Sequence, residues 1–261
     1  MTPIKSCDIL MLTLSVTLTE IGGNMKYITL KMVAERARIS VNTASRAINN
    51  KPDINLETKK RVLQIAKELG YIRNAAAVAL RTKKTGTIGV VIADNRNPFY
   101  AEVLNGVEEA AREKNYHIIL ANTQRDYRKE EEAINLLLAK RVDGLLITPV
   151  QDKDDDIKNL IDANIPFVVV GRDFKNIEVD AIYNDEVKGG FLATEYLIKK
   201  GHKRIALVNG FLHKSPAKGR LEGYKKALNK HRISLDESLI SLGDINIEDG
   251  YERTKQMLEK N

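Results

Sequence analysis

The sequence predicts an α + α/β chain, with a small, basic, all-helical module ahead of a larger core of doubly wound parallel sheets. Three observations carry this. The 261 residues have a formal net charge of +7, yet residues 25–85 hold 14 Lys/Arg against 4 acids while residues 86–261 hold 27 against 29. Within the basic stretch, apolar residues recur at helical spacing in three short segments. Beyond residue 86, short apolar runs alternate with amphipathic segments, the pattern of buried strands separated by covering helices. Positive charge confined to about sixty residues is the electrostatic footprint of a nucleic-acid-binding module on a near-neutral body.

Composition excludes several classes. A hydrophobic fraction of 43% at this length supports a sizeable core and argues against disorder. Cys7 is the only cysteine, which excludes an internal disulfide and a cysteine-built zinc site and points to a reducing compartment, the cytoplasm. No run of eighteen or more apolar residues is present to span a bilayer.

Residues 1–24 form an extension. Its apolar run Ile9–Leu18 lacks a following small-x-small cleavage site, which weighs against a signal peptide. The codons for Ile21-Gly22-Gly23 can spell a purine-rich ribosome-binding site just before Met25, so the extension is read as an untranslated leader.

Residues 25–73 hold three helices. Thr29 caps the first, which runs through Leu30, Val33, Ala34 and Ala37 to end near Arg38. Ile39-Ser40 leaves room only for a tight turn, and Ser40 caps a second helix, Val41 to Ile48, with Ala44, Ala47 and Ile48 inward. Two short helices across a short turn are the layout of a helix-turn-helix, whose second helix enters the major groove. Asn55 caps a third helix, with Val62, Ile65, Ala66 and Leu69 on one face and Gly70 as a left-handed stop. Residues 74–85 follow as hinge and linker: Asn74 to Arg81 favours helix by propensity, but eight residues make a marginal helix in water.

In the body, apolar runs at 88–92, 117–120, 144–147 and 167–170 read as buried strands, with helices near 100–114, 128–140 and 154–163 between them. Ile182-Tyr183 leads into a second cycle: helix 186–200, strand 205–208, helix 217–230, a strand near 239–242 and a helix near 247–260. The division is an N-subdomain, 86–184, and a partial C-subdomain, 185–261, with a cleft between two tandem doubly wound units.

The residues Thr29-Leu30-Lys31-Met32-Val33-Ala34, Ile39 through Asn49 and Leu69-Gly70-Tyr71-Ile72-Arg73-Asn74 resemble the headpiece of the lactose-repressor/galactose-repressor (LacI) family of bacterial transcription regulators. Three positions depart from its pattern: Met32 stands for the usual Asp, Arg38 for Gly and Arg73 for Pro. The resemblance continues through Asn97-Pro98-Phe99-Tyr100, Val142-Asp143-Gly144, Asn184-Asp185, Gly201-His202-Lys203-Arg204-Ile205 and Gly219 to Tyr224, marks of the family's periplasmic-binding-protein-like effector core. That core normally continues further, so a C-terminally truncated regulator with an incomplete second subdomain is expected.

The resemblance implies a dimer on double-stranded operator DNA, controlled by a small effector, a sugar or a nucleobase. Val41 and Asn42 begin the implied recognition helix and Arg46 lies one turn on, with chemistry suited to base edges; Ser45 and Asn49 are assigned to backbone contacts or packing. Asn74, Ala77 and Leu80 fall in the hinge segment, where the family wedges a leucine into the minor groove. Phe99 can stack on a sugar or base face and Arg220 can fork hydrogen bonds to hydroxyls, both at family ligand positions; Asn97, Arg172 and Asp173 lie at loop ends toward the same cleft. No cofactor, metal or catalytic residue is expected: His202 and His213 lack ligand spacing, and no Gly-rich phosphate loop, nucleophile elbow or HExxH occurs. A headpiece regulator without effector control is the alternative. A solute-binding protein shares the core fold but has no use for residues 25–85.

Overall fold

The computed structural model describes residues 27–73, 79, 82–151 and 153–259. Contacts divide the chain into two compact units, one within residues 1–77 and one within 78–261.

The first unit holds α1 (Leu30–Ala37), α2 (Val41–Ile48) and α3 (Leu56–Leu69). Each starts on the side chain expected from the sequence: Thr29 accepts from Met32 N, Ser40 from Thr43 N and Asn55 from Glu57 N. Two of the three helices stop on a left-handed residue, α3 at Gly70 with φ 68° and α1 at Arg38 with φ 55°. Arg38 bears a conformation that costs a side-chain residue free energy and costs glycine little. Val33, Ala34 and Ala37 of α1 meet Ala44 and Ala47 of α2 and Val62 and Ala66 of α3 in one core, where five alanines let short helices approach closely.

The second unit opens with β1 (Thr87–Ile92), α4 (Pro98–Glu113), β2 (His117–Asn122), α5 (Tyr127–Ala139), β3 (Gly144–Ile147), α6 (Asp155–Asp162), β4 (Phe167–Val170) and β5 (Ala181–Ile182). The sheet order is β2-β1-β3-β4-β5, every pairing parallel. Side chains alternate across it: Val91, Leu145, Ile147 and Val169 pack on α5 and α6, while Val90 and Ile92 face Tyr100 of α4. The short apolar Ala181–Ile182 closes this sheet as β5, and only afterwards does the second cycle begin. The run at 117–120 is less buried than expected: as β2 it is an edge strand with one neighbour, and Ile119 and Leu120 stay 40% and 41% exposed.

The second cycle comprises α7 (Glu186–Lys199), β6 (Leu207–Gly210), α8 (Ser215–Lys230), a short 3-10 turn, β7 (Ile240–Gly243) and α9 (Ile247–Glu259). β6 and β7 form a two-stranded parallel sheet. The strand expected at 205–208 starts two residues later, because the ladder registers Leu207 on Ile240, whereas Ile205 is drawn to α8 and its carbonyl accepts Tyr224 Oη at 2.9 Å. Helices α7 and α8 touch backbone to backbone: a Cβ on Gly223 would lie 2.1 Å from Val187 O, and one on Gly190 2.4 Å from Arg220 O.

A carboxyl pair lies inside the first subdomain. Glu130 is fully buried, and its Oε2 accepts Val150 N at 2.7 Å. Among the described residues, its other oxygen and both oxygens of buried Asp156 lack a hydrogen-bond partner within ordinary geometry. Burial first, then the charge of Asp156, pushes the Glu130 carboxyl up to about 9, and burial raises Asp156 as well. The pair thus keeps a proton at neutral pH.

Two expectations follow. Gly223→Ala forces α7 and α8 apart and lowers the melting temperature of the chain, by about 1–3 kcal/mol of stability, whereas Gly189→Ala, with open space around it, leaves it unchanged or higher. Equal melting of both variants would remove the close helix crossing as a constraint. Glu130 binds its proton more tightly when folded, so its contribution is fully present below the ordinary carboxylate range and is lost as pH rises through about 9. Thermal melts from pH 5 to 10 will therefore show the parent losing stability relative to Glu130→Gln toward high pH; parallel curves would contradict a shared proton.

Candidate DNA-contacting helix and effector cleft

Helix α2 buries Ala44 and Ala47 and turns its first residues outward. Val41 is 45% exposed, an apolar side chain held in water, and Asn42 is exposed beside it. Arg46, also exposed, is ion-paired with Asp53 from the loop that precedes α3, which orients its guanidinium. Ser45 is half-buried, and Asn49 donates to Ser45 O at 2.7 Å and to its Oγ at 3.3 Å while accepting from Arg73. Asn49 thus packs the end of α2. Asn74, Ala77 and Leu80 lie outside the described residues.

A cleft of about 560 Å³ is lined by the carboxyl ends of strands from both sheets, the place where doubly wound folds bind ligands. Four of the five expected residues come together there: Asn97, Phe99, Arg172 and Arg220. Asn97 also caps α4, its Oδ1 accepting Phe99 N at 3.0 Å, so capping and lining coincide. Phe99 is 42% exposed, stands edge-on to Tyr100 with ring centroids 5.3 Å apart, and lies against Gly171. Arg220 donates through Nε to Asn209 Oδ1 at 3.1 Å and through Nη1 to Glu186 Oε2 at 2.9 Å. Arg172 is 7% exposed and donates through Nε to Pro149 O at 3.2 Å; burial lowers its pKa. Asp173 stands apart from the lining: its N–H donates to Ser215 Oγ at 2.9 Å and its carbonyl accepts from Gln151 at 2.8 Å, a tie from the first subdomain to the start of α8.

Sequence reasoning missed several groups here. Asn209 is buried at the end of β6, donating to Ala217 O at 2.8 Å while it orients Arg220. Arg125, at the end of the loop after β2, pairs with Asp94 at 3.2 Å and with Asp244 of the second subdomain at 3.3 Å, and also donates to Ile245 O. Arg253 of α9 binds Asp249, Asn209 O, Ser241 O and Asp244 O. The side-chain hydrogen bonds from Arg96 hold Asp94 below the usual carboxylate range, against the opposing effect of burial. The available signal was positional: Asn209 and Asp244 are polar residues at or just past the carboxyl end of an apolar strand. Among the described residues no group of three metal-ligating side chains occurs, and no helix is long and apolar enough to cross a membrane.

Comparisons with known proteins fit both units. Residues 29–74 match the family described as "Bacterial regulatory proteins, lacI family", and residues 85–261 match "Periplasmic binding proteins and sugar binding domain of LacI family". The transcriptional repressor PurR of Pasteurella multocida is 36% identical over 231 residues, 88% of this chain and 69% of that protein. The transcriptional regulator MalR of Streptococcus pneumoniae is 37% identical over 239 residues, 89% of this chain and 72% of its own length. Among solved structures, the Lac repressor dimer bound to operator and the anti-inducer ONPF superposes with a TM-score of 0.79 at 28% identity, over 90% of this chain and 71% of that one. The transcriptional regulator CelR in complex with cellobiose gives 0.62 at 32% identity, over 89% and 70%. The helical unit and the doubly wound unit are each matched in the order in which they occur, and the chain belongs to the LacI family of bacterial regulatory proteins.

Proposed function

We propose that this chain is a cytoplasmic repressor that binds double-stranded operator DNA as a homodimer, with operator affinity set by a small polar ligand in the cleft. The observation that carries this reading is helix α2, which buries only its alanines and offers Val41, Asn42 and Arg46 to solvent in a unit with a large excess of cations. Val41 and Asn42 meet base edges, Arg46 donates twice to a guanine, and Ser45 and Asn49 hold the helix on the backbone. Asn74, Ala77 and Leu80 contact the operator's minor groove, into which Leu80 is wedged. In the cleft, Phe99 takes a sugar or base face, while Arg220, Asn97 and Arg172 take polar groups of the ligand, with Asp173 fixing the rim. The solved complexes of the Lac repressor with operator and ONPF, and of the transcriptional regulator CelR with cellobiose, support this division of labour.

Selection of binding sites from a random duplex pool, followed by anisotropy titration, tests the DNA reading. Arg46→Ala lowers affinity for the selected site by about 1–3 kcal/mol and affects random duplex less; equal loss on both assigns Arg46 to phosphate. For the cleft, Arg220→Ala leaves operator affinity in the absence of ligand intact and abolishes its response to an effector sugar or nucleobase. A response that survives the substitution places the effector elsewhere.

A further inference from the structure

Charges in and around the cleft are matched with one exception. Arg220 has Glu186 at 2.9 Å, Arg253 has Asp249 at 2.6 Å, Arg125 has Asp94 and Asp244 at 3.2 and 3.3 Å, and Arg96 has Asp94 at 3.0 Å. Arg172 has no acid within ion-pair distance among the described residues, although it is the most buried of the five. Its one hydrogen bond there runs from Nε to the carbonyl of Pro149, which leaves its terminal nitrogens without an acceptor at the wall of the cleft. From further off, Tyr100, Glu130 and Glu186 favour its charge and Arg220 opposes it. Glu186 is committed to Arg220, and Glu130 shares a proton with Asp156, so that it carries no full charge at neutral pH.

A buried guanidinium without a counter-charge is costly and is satisfied best by a planar oxyanion that accepts from both terminal nitrogens. The neighbouring groups define what carries that oxyanion. Gly171, directly before Arg172, lies against the ring of Phe99, so an aromatic face adjoins the unmatched charge. Across the cleft, Arg220 and Asn209 are held by each other and by Glu186, a polar set already neutral. Resting on the ligand-controlled reading of the cleft, we propose that the effector is an anionic sugar derivative, whose carboxylate or phosphate docks on Arg172 while its ring covers Phe99 and its hydroxyls meet the Arg220 set.

The test is calorimetric titration of the full chain with matched ligands: glucose against glucuronate and glucose-6-phosphate, and ribose against ribose-5-phosphate. The expected result is that an anionic member binds about tenfold or more tightly than its neutral parent, as a charge-assisted pair allows, and the carboxylate and phosphate arms identify which oxyanion fits. Arg172→Gln removes that preference, so that each anionic sugar and its neutral parent bind the variant alike. Because it deletes an unmatched buried charge, the variant also melts at the same temperature as the ligand-free parent or higher. Equal or tighter binding of the neutral sugars, or an anion preference that survives Arg172→Gln, overturns the proposal while sparing a sugar-controlled regulator. Failure of every sugar to bind overturns both readings of the ligand, and operator binding is then judged by its own titration. A fall in the melting temperature of Arg172→Gln makes the guanidinium a structural tie to Pro149 and overturns the proposal too.

Discussion

The parallel pairing of β1 with β3 sets where the cleft can be. Ile88 to Val91 register on Gly144 to Ile147, and the ladder continues past both strands: Thr148 N donates to Val91 O at 2.8 Å, and Thr148 Oγ1 accepts Ala93 N at 2.8 Å. Thr148 and Ala93 are buried, so these bonds have no competing water and the two loops leave the sheet as one layer. Asp94 to Phe99 follow the first strand and Pro149 to Gln151 follow the second. A shift of one residue in this register would turn Val91 from the α5 and α6 face toward α4 and move Asn97 and Pro149 relative to each other. The position of Arg172, whose Nε binds Pro149 O, is inherited from the same ladder.

Burial then decides how the cleft's charges are used. Arg125 and Arg253 are largely covered, and each is ringed by carboxylates and carbonyls, the arrangement that lets an ion pair survive where water is scarce. The Asp94–Arg125–Asp244 chain joins the loops after β1 and β2 to the loop after β7, so it links the two subdomains by charge. The helical unit follows the opposite logic. Among its described residues, most cations are exposed and without an ion-pair partner, Lys31 and Arg46 excepted, which costs little in water and leaves them available to phosphates.

Most of the architecture was legible in the sequence because local chemistry and periodicity agreed. Thr29, Ser40, Asn55 and Gly70 each marked an end of a helix that the structure places there, and Val33, Ala44 and Val62 kept the period that buries them. The two misplacements arose where tertiary context outweighed local pattern. Ile119 and Leu120 read as core but sit on an edge, since apolar content does not reveal which strand has one neighbour. Ile205 reads as strand but is claimed by Tyr224 of α8. In the cleft, Phe99 and Arg220 were legible from motif and chemistry. The partners Asn209, Glu186, Arg125 and Asp244 were not, because the pairing Arg125–Asp244 spans 119 residues and no spacing rule reaches that far.

One carboxylate connects this geometry to the chain that enters the core. Asp143, just before β3, accepts Thr85 N at 2.7 Å and Thr85 Oγ1 at 2.9 Å on one oxygen and Gly86 N at 2.9 Å on the other. Burial alone would raise its pKa, yet these donors together with Lys84 hold it below the usual value. The anchor lies at the amino end of β1 and the cleft at its carboxyl end, six residues or roughly 20 Å away along an extended strand. Because β1 is central, hydrogen-bonded on both sides and packed on both faces, it has little freedom to bend between these points. Residues 85 and 86 therefore hold a position that the β1–β3 ladder and Asp143 fix together.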